Sequence, residues 1–188
     1  MRFPPAIAIA EQRLIDAGGE AFAVGGCVRD ALLGRPCHDY DLTTNLPPAR
    51  VIEAFAGYTV VPTGLRHGTV TVHIDGLPID VTTYRIDGAY ADGRHPAEVR
   101  FTGSLEDDLR RRDFTMNAVC HSASRGFVDP FGGIGDIRAG RIRCVGDPER
   151  RFSEDALRIL RCLRFAAVLG FSIEAETAAA LRNPGGFS

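Results

Sequence analysis

The fold is decided by Ala21-Phe22-Ala23-Val24-Gly25-Gly26-Cys27-Val28-Arg29-Asp30 together with His38-Asp39-Tyr40-Asp41-Leu42. Ala21 to Val24 is a short apolar run that reads as a buried strand and leads straight into Gly25-Gly26. Val28 to Leu33 then supplies about two helical turns and stops at Gly34. His38 to Leu42 alternates polar with apolar residues, the period of a strand. Strand, glycine turn, helix and strand follow one another within about twenty residues. Glycines between a strand and a helix let backbone N–H groups approach a phosphate, and Arg29 lies one turn into the helix. Neither G-x-x-x-x-G-K-[ST] nor G-x-G-x-x-G is present, so the P-loop and dinucleotide readings lack their motifs. The same glycines also fit a plain turn, and Arg29 also fits an ion pair with Asp30.

Asp39 and Asp41 stand two apart, so on a strand they project from one face. Two carboxylates side by side repel unless a cation lies between them, and Mg²⁺ takes such oxygen ligands with substrate phosphates completing its shell. Asp80 sits in Pro78-Ile79-Asp80-Val81, an apolar strand where a lone acid is costly to bury. Three meeting carboxylates make a two-metal site. Taken alone, D-x-D also fits a turn cap followed by a backbone ligand.

Outward from this unit, Pro4 to Ala17 has helical spacing and ends at Gly18-Gly19. Pro47 to Ala56 reads as a helix capped by Asn45, and Tyr58 to Pro62 leads on to a hairpin. Thr69–Ile74 and Pro78–Tyr84 are β-branched runs around Asp75-Gly76, a hairpin signal. Ile86 to Ala97 is polar and glycine-bearing and reads as a mobile surface loop. Leu105 to Ala118 reads as one helix, which sets Arg112, Asp113 and Asn117 on neighbouring faces. Asp129 to Gly133 is a turn. A long helix is predicted from Ser153, its cap, to Leu169, with Leu157, Leu160, Leu163 and Ala167 on one side. Another begins at Ile173. The expectation is an α/β (α+β) head over residues 1–140, with a mixed, mostly antiparallel small sheet flanked by helices. Residues 141–188 are the start of an all-helical neck. Two helices cannot enclose a core alone, so the neck is expected to be truncated.

The chain has 188 residues, 45% hydrophobic and 24% charged, with net charge −2. These are values of an ordinary globular domain, and no apolar run approaches the ~20 residues of a membrane span. Met1-Arg2-Phe3-Pro4-Pro5 has no secretory signal character, so a cytoplasmic location is expected. The five cysteines form no C-x-x-C pair and read as reduced thiols. All 22 cationic residues are arginine, seven of them between Arg141 and Arg164, a run that also fits a solvated helical face.

Taken together, Gly25-Gly26-Cys27-Val28-Arg29-Asp30 and His38-Asp39-Tyr40-Asp41 resemble the signature of the polymerase β-like nucleotidyltransferases. The likeness continues through Thr63-Gly64-Leu65-Arg66-His67-Gly68-Thr69, Asp80-Val81-Thr82-Thr83-Tyr84-Arg85, Arg111-Arg112-Asp113-Phe114-Thr115-Met116-Asn117-Ala118 and Glu154-Asp155-Ala156-Leu157-Arg158. In that order they resemble the class II tRNA nucleotidyltransferases and bacterial poly(A) polymerases. The resemblance implies that Asp39, Asp41 and Asp80 are catalytic and bind two Mg²⁺ ions. It implies nucleotide contacts from Gly25, Gly26, Arg29, Arg112, Asp113, Asn117, Asp155, Arg158 and Arg161. Asp155 and Arg158, three apart on a helix, would together read the amino donor and ring-nitrogen acceptor shared by cytosine and adenine.

The activity implied is template-independent addition of CCA to the tRNA 3′ end from CTP and ATP, with pyrophosphate released. Leu65 to Thr69 looks like the tRNA enzymes' version of that segment, and Arg85 to Phe101 looks long enough for A addition as well as C addition. The alternatives are A-only addition, poly(A) synthesis, another polymerase β-like transferase, or a nucleotide-binding fragment without turnover. No membrane partner is expected.

Overall fold

A computed structural model describes residues 2–88 and 99–182. The first helix, α1 (Pro5–Asp16), buries Ile7, Ala10 and Leu14, and the chain then enters β1 (Phe22–Val24), α2 (Gly26–Leu32) and β2 (Tyr40–Thr44). The expected strand, glycine turn, helix and strand are all present. One boundary differs: β2 begins at Tyr40, so Asp39 precedes the strand and is exposed.

The helix α3 (Pro48–Ala54) leads to β3 (Thr59–Gly64) and the hairpin β4 (Thr69–Ile74) and β5 (Leu77–Thr83). Asp75 and Gly76 form its turn with φ of 51° and 79°, and Ile74 pairs with Leu77. Asn45 does not cap α3. Its side-chain oxygen accepts from Glu20 N at 2.7 Å, while Pro47 and Pro48 open the helix.

The short ladder of β6 (Arg85–Asp87) and β7 (Val99–Phe101) follows. Ile86 therefore lies in a strand rather than a loop, and the remainder of the expected loop, beyond Gly88, lies outside the described residues. Then come α4 (Leu105–Arg110), the hairpin β8 (Cys120–Ser122) and β9 (Gly126–Val128), and α5 (Gly133–Ala139). The last part holds β10 (Arg141–Ile142), α6 (Pro148–Glu154), α7 (Leu157–Leu169), β11 (Ser172–Ile173) and α8 (Ala175–Arg182).

The seven-stranded sheet has the order β3-β4-β5-β2-β1-β8-β9. Only β2 and β5 are parallel within it, so the sheet is mixed and mostly antiparallel, as expected. Its core draws Ala23, Leu42, Val70 and Val81 together with Phe152, Cys162 and Ala180, so helices after residue 140 share the apolar interior of the sheet. No described helix is long and apolar enough to cross a membrane.

Two helices expected to be continuous are broken. The first, Leu105 to Ala118, ends at Arg110. Phe114 is extended and bridges Cys144, Thr115 N donates to Arg143 O at 2.9 Å, and Val145 N donates to Asp113 O at 3.0 Å. These partners outcompete the intrahelical bonds, and only a 3₁₀ turn (Thr115–Asn117) remains. Arg112, Asp113 and Asn117 are therefore not on neighbouring faces of a helix.

The second, Ser153 to Leu169, is interrupted at Asp155, whose φ and ψ are −147° and 105°. Asp147 caps α6 through a bond from Arg150 N at 2.9 Å, and Ser153 instead donates to Arg150 O. Leu157, Leu160 and Leu163 face outward, while α7 buries Arg158 and Cys162.

The 3₁₀ turn is held from behind by α5. Asp129 accepts from Gly133 N and Ile134 N, and Thr115 Oγ1 donates to Asp136 at 2.6 Å. Gly133 packs so closely that a Cβ there would sit 2.1 Å from Thr115 O and 2.6 Å from Val119 Cγ2. Gly133→Ala should therefore destabilise the chain by about 1–3 kcal/mol through overpacking. At roughly 2–4 °C per kcal/mol, that lowers the melting temperature by about 2–12 °C. An unchanged thermal transition would show that α5 does not brace the turn.

Candidate nucleotide and metal site

Asp41 on β2 and Asp80 on β5 are direct partners in the parallel ladder. Neighbouring strands lie about 4.8 Å apart, so two carboxylates leave the same face side by side. Thr71 of β4, the next strand, donates to Asp80 Oδ1 at 2.5 Å. Asp39 lies just before β2, and its carbonyl accepts from Cys37 Sγ at 3.1 Å.

The Asp41 carboxyl is pushed above the usual carboxylate range, first by burial. The guanidinium of Arg112 opposes the shift, and the charges of Asp80 and Asp39 add to it. An all-oxygen, like-charged face of this kind suits a hard cation such as Mg²⁺. Among the described residues no three His, Cys, Asp or Glu side chains close around a metal ion. The register brings Asp41 and Asp80 together, while Asp39, exposed ahead of β2, does not close a three-carboxylate site with them.

Beside this face is a cavity of about 370 Å³, lined by Gly25, Gly26, Asp39, Asp41, Arg112 and Asn117 among others. Asp80 is not part of its wall. Gly25 opens α2 at φ 77° and ψ −132°, a conformation that L side chains rarely adopt. A Cβ there would also sit 3.2 Å from Arg112 NH1.

Although no α-helix carries them, Arg112, Asp113 and Asn117 converge on the cavity, the last two through side-chain bonds. Arg29 donates to Asp30 at 2.9 Å and to Asn117 at 2.8 Å. Asn117 donates to Asp113 at 3.1 Å, and Arg161 donates to the other oxygen of Asp113 at 2.8 Å. Arg29, Arg112, Asp113, Asn117 and Arg161 all line the cavity with both glycines.

Asp155 and Arg158 do not. Arg158 is buried, paired with Glu154 at 2.8 Å, and donates to the carbonyls of Arg151 and Arg111. Asp155 caps the start of α7 by accepting from Leu157 N at 2.9 Å. The shared helical face predicted for this pair is absent because the helix breaks at Asp155.

Asp108 is a site residue that the sequence reading missed. It is fully buried and accepts from Arg85 N at 3.2 Å, Thr43 Oγ1 at 3.1 Å and Arg111 Nε at 3.0 Å, with Arg112 at 3.5 Å. It ties the strand of Asp41 to the arginine that faces Asp41. The signal was its spacing of three and four from Arg111 and Arg112.

A mixed sheet with paired carboxylates on adjacent parallel strands, beside a glycine- and arginine-lined cavity, defines a polymerase β-like nucleotidyltransferase head. The chain belongs to the poly A polymerase head-domain family, whose profile matches residues 21–143. It is 48% identical over 169 residues to the CCA-adding enzyme of Leuconostoc mesenteroides, covering 90% of this chain and 42% of that protein. The crystal structure of the Bacillus stearothermophilus CCA-adding enzyme in complex with CTP matches with a TM-score of 0.86 and 42% identity, covering 96% of this chain and 43% of that one. A tRNA nucleotidyltransferase complexed with a primer tRNA and an incoming ATP analog matches with a TM-score of 0.74 and 32% identity, covering 93% and 49%. The chain spans less than half the length of these relatives.

Burial alone would raise the Asp108 carboxyl, but the guanidiniums of Arg111 and Arg112 outweigh it and hold it below its ordinary 3.8. A carboxyl depressed in the fold stabilises it above the unfolded value, and that contribution is lost as pH falls through the folded one. Asp108→Asn should cost about 3–5 kcal/mol in urea unfolding at neutral pH, because the arginines lose a buried partner. The gap to the parent should narrow below about pH 4. Equal stability at pH 7 would contradict the tie.

Proposed function

We propose that the protein is a template-independent tRNA nucleotidyltransferase that adds C and A to the tRNA 3′ end from CTP and ATP. In this reading the region up to residue 140 is the catalytic head, residues from 141 onward begin the neck, and the protein works in the cytoplasm. The observation that carries it is the parallel register of Asp41 with Asp80 beside the arginine-lined cavity. The CTP complex and the primer tRNA complex of its structural relatives support the choice of substrates.

Asp39, Asp41 and Asp80 would hold two Mg²⁺ ions, which when bound offset triphosphate charge and acidify the attacking hydroxyl. Arg29, Arg112 and Arg161, with the backbone at Gly25 and Gly26, hold the triphosphate in line. Asp113 accepts from a ribose hydroxyl and Asn117 donates or accepts beside it. The RNA 3′-hydroxyl oxygen forms a bond to the α-phosphorus as the bond to the bridging oxygen breaks, and pyrophosphate leaves. For Asp155 and Arg158 to read a base edge, Arg158 must exchange Glu154 for the ring nitrogen. Cytosine and adenine match such a pair, whereas guanine and uracil leave its groups unpaired.

The test is incubation with labelled CTP or ATP and tRNA lacking its CCA end, with Mg²⁺ present. Stepwise C and A incorporation is expected. Asp41→Ala should stay folded and lose activity by about 10³-fold, which corresponds to roughly 4 kcal/mol of transition-state stabilisation. Near-parental turnover in that variant would remove Asp41 from the site. Nucleotide binding without incorporation would support a binding fragment instead.

A further inference from the structure

Phe165 of α7 lines the same cavity as Arg29 and Arg161. The Arg29 guanidinium carbon lies 5.0 Å from the centre of the Phe165 ring, and that of Arg161 lies 5.3 Å from it. Both distances are within the range of a cation–π contact. The two cations come from different parts of the chain. Arg29 is on α2 beside the glycine turn, whereas Arg161 is one helical turn before Phe165 on α7, the i,i+4 spacing that brings side chains together. Phe114, fully buried, meets the ring edge-on at 5.9 Å and 89°, which anchors it from the interior.

Each guanidinium is also held by a carboxylate, Arg29 by Asp30 and Arg161 by Asp113, both at contacts of 2.9 Å or less. Two cations gathered on one ring repel one another, and the ring's negative face offsets part of that repulsion. Asp30 and Asp113 offset more of it, and an anion received at the pair would add to them. An apolar side chain of similar size would fill the space but supply no such face.

We infer that Phe165 is a positioning residue that fixes Arg29 and Arg161 as a paired clamp for nucleotide phosphates. The inference rests on the reading of this cavity as the nucleotide site. It makes phosphate affinity depend on the packing of α7 against α2, because displacing the helix withdraws the ring and Arg161 together.

The test is calorimetric titration of the 188-residue chain with CTP and Mg²⁺, and separately with inorganic tripolyphosphate. Phe165→Leu, Phe165→Tyr and Phe165 replaced by ring-fluorinated phenylalanines are compared with the parent, each with its melting temperature. Leucine should raise the Kd for both ligands roughly fivefold or more, and tyrosine should restore it. Successive fluorination keeps the ring's shape but drains its face, so the Kd should climb stepwise while the melting temperature holds. A Kd that is flat across the series, whatever happens to the melting temperature, overturns the clamp alone. A parent chain that binds neither CTP nor tripolyphosphate overturns the nucleotide reading itself, and the clamp with it.

Discussion

Two carboxylates that repel one another hold the central place in this structure. The parallel pairing of β2 with β5 sets Asp41 against Asp80, and nothing in backbone pairing requires an acid at either position. Burial raises the cost, and it leaves Asp41 harder to ionise than an ordinary aspartate. Such a pair weakens the fold unless positive charge lies close by, and Arg112 supplies part of it at Asp41. Much of the surrounding structure keeps the two strands in this register. The hairpin through Asp75-Gly76 aligns β4 with β5, and Thr71 then fixes one oxygen of Asp80.

Positive charge is held by its own networks of side-chain bonds in and beside the cavity wall. Asp108 has no exposure to solvent, yet it gathers Arg111, Arg112, Thr43 and the backbone of Arg85. It thus couples the end of α4 to β2 and to the start of β6. A second chain of bonds runs from Asp30 through Arg29, Asn117 and Asp113 to Arg161. Between them, these networks orient Arg29, Arg112 and Arg161 in the cavity wall, which would reduce the ordering cost of binding an anion there.

Short local patterns of the sequence were the most legible. The glycine turn after β1 and the Asp75-Gly76 hairpin depend on neighbours along the chain and stand where the patterns put them, whereas the alternating strand begins two residues late, at Tyr40. The two broken helices were not legible, because distant residues decide them. Phe114 leaves the helix for Cys144, thirty positions away, and Asp155 breaks the next helix to cap α7. The convergence of Arg112, Asp113 and Asn117 survived the loss of the helix that was meant to carry it, since Arg161 and Arg29 bond Asp113 and Asn117 while Asp108 holds Arg112. Asp108 was passed over because an acid among arginines on a helix reads as a solvated ion pair. Its burial is a property of the tertiary fold, and so is the ring that Phe165 presents to two arginines.

Asp39, Asp41 and Asp80 are proposed to hold divalent cations against a triphosphate in the neighbouring cavity. A crystal of the chain grown with Mn²⁺ and a non-reactive CTP analogue, with anomalous data collected near the manganese edge, tests it directly. Anomalous peaks are expected within coordinating distance of Asp39, Asp41 and Asp80, with the phosphates lying along Gly25, Gly26 and Arg112. Manganese bound without contact to Asp41, or a nucleotide seated outside this cavity, would contradict it.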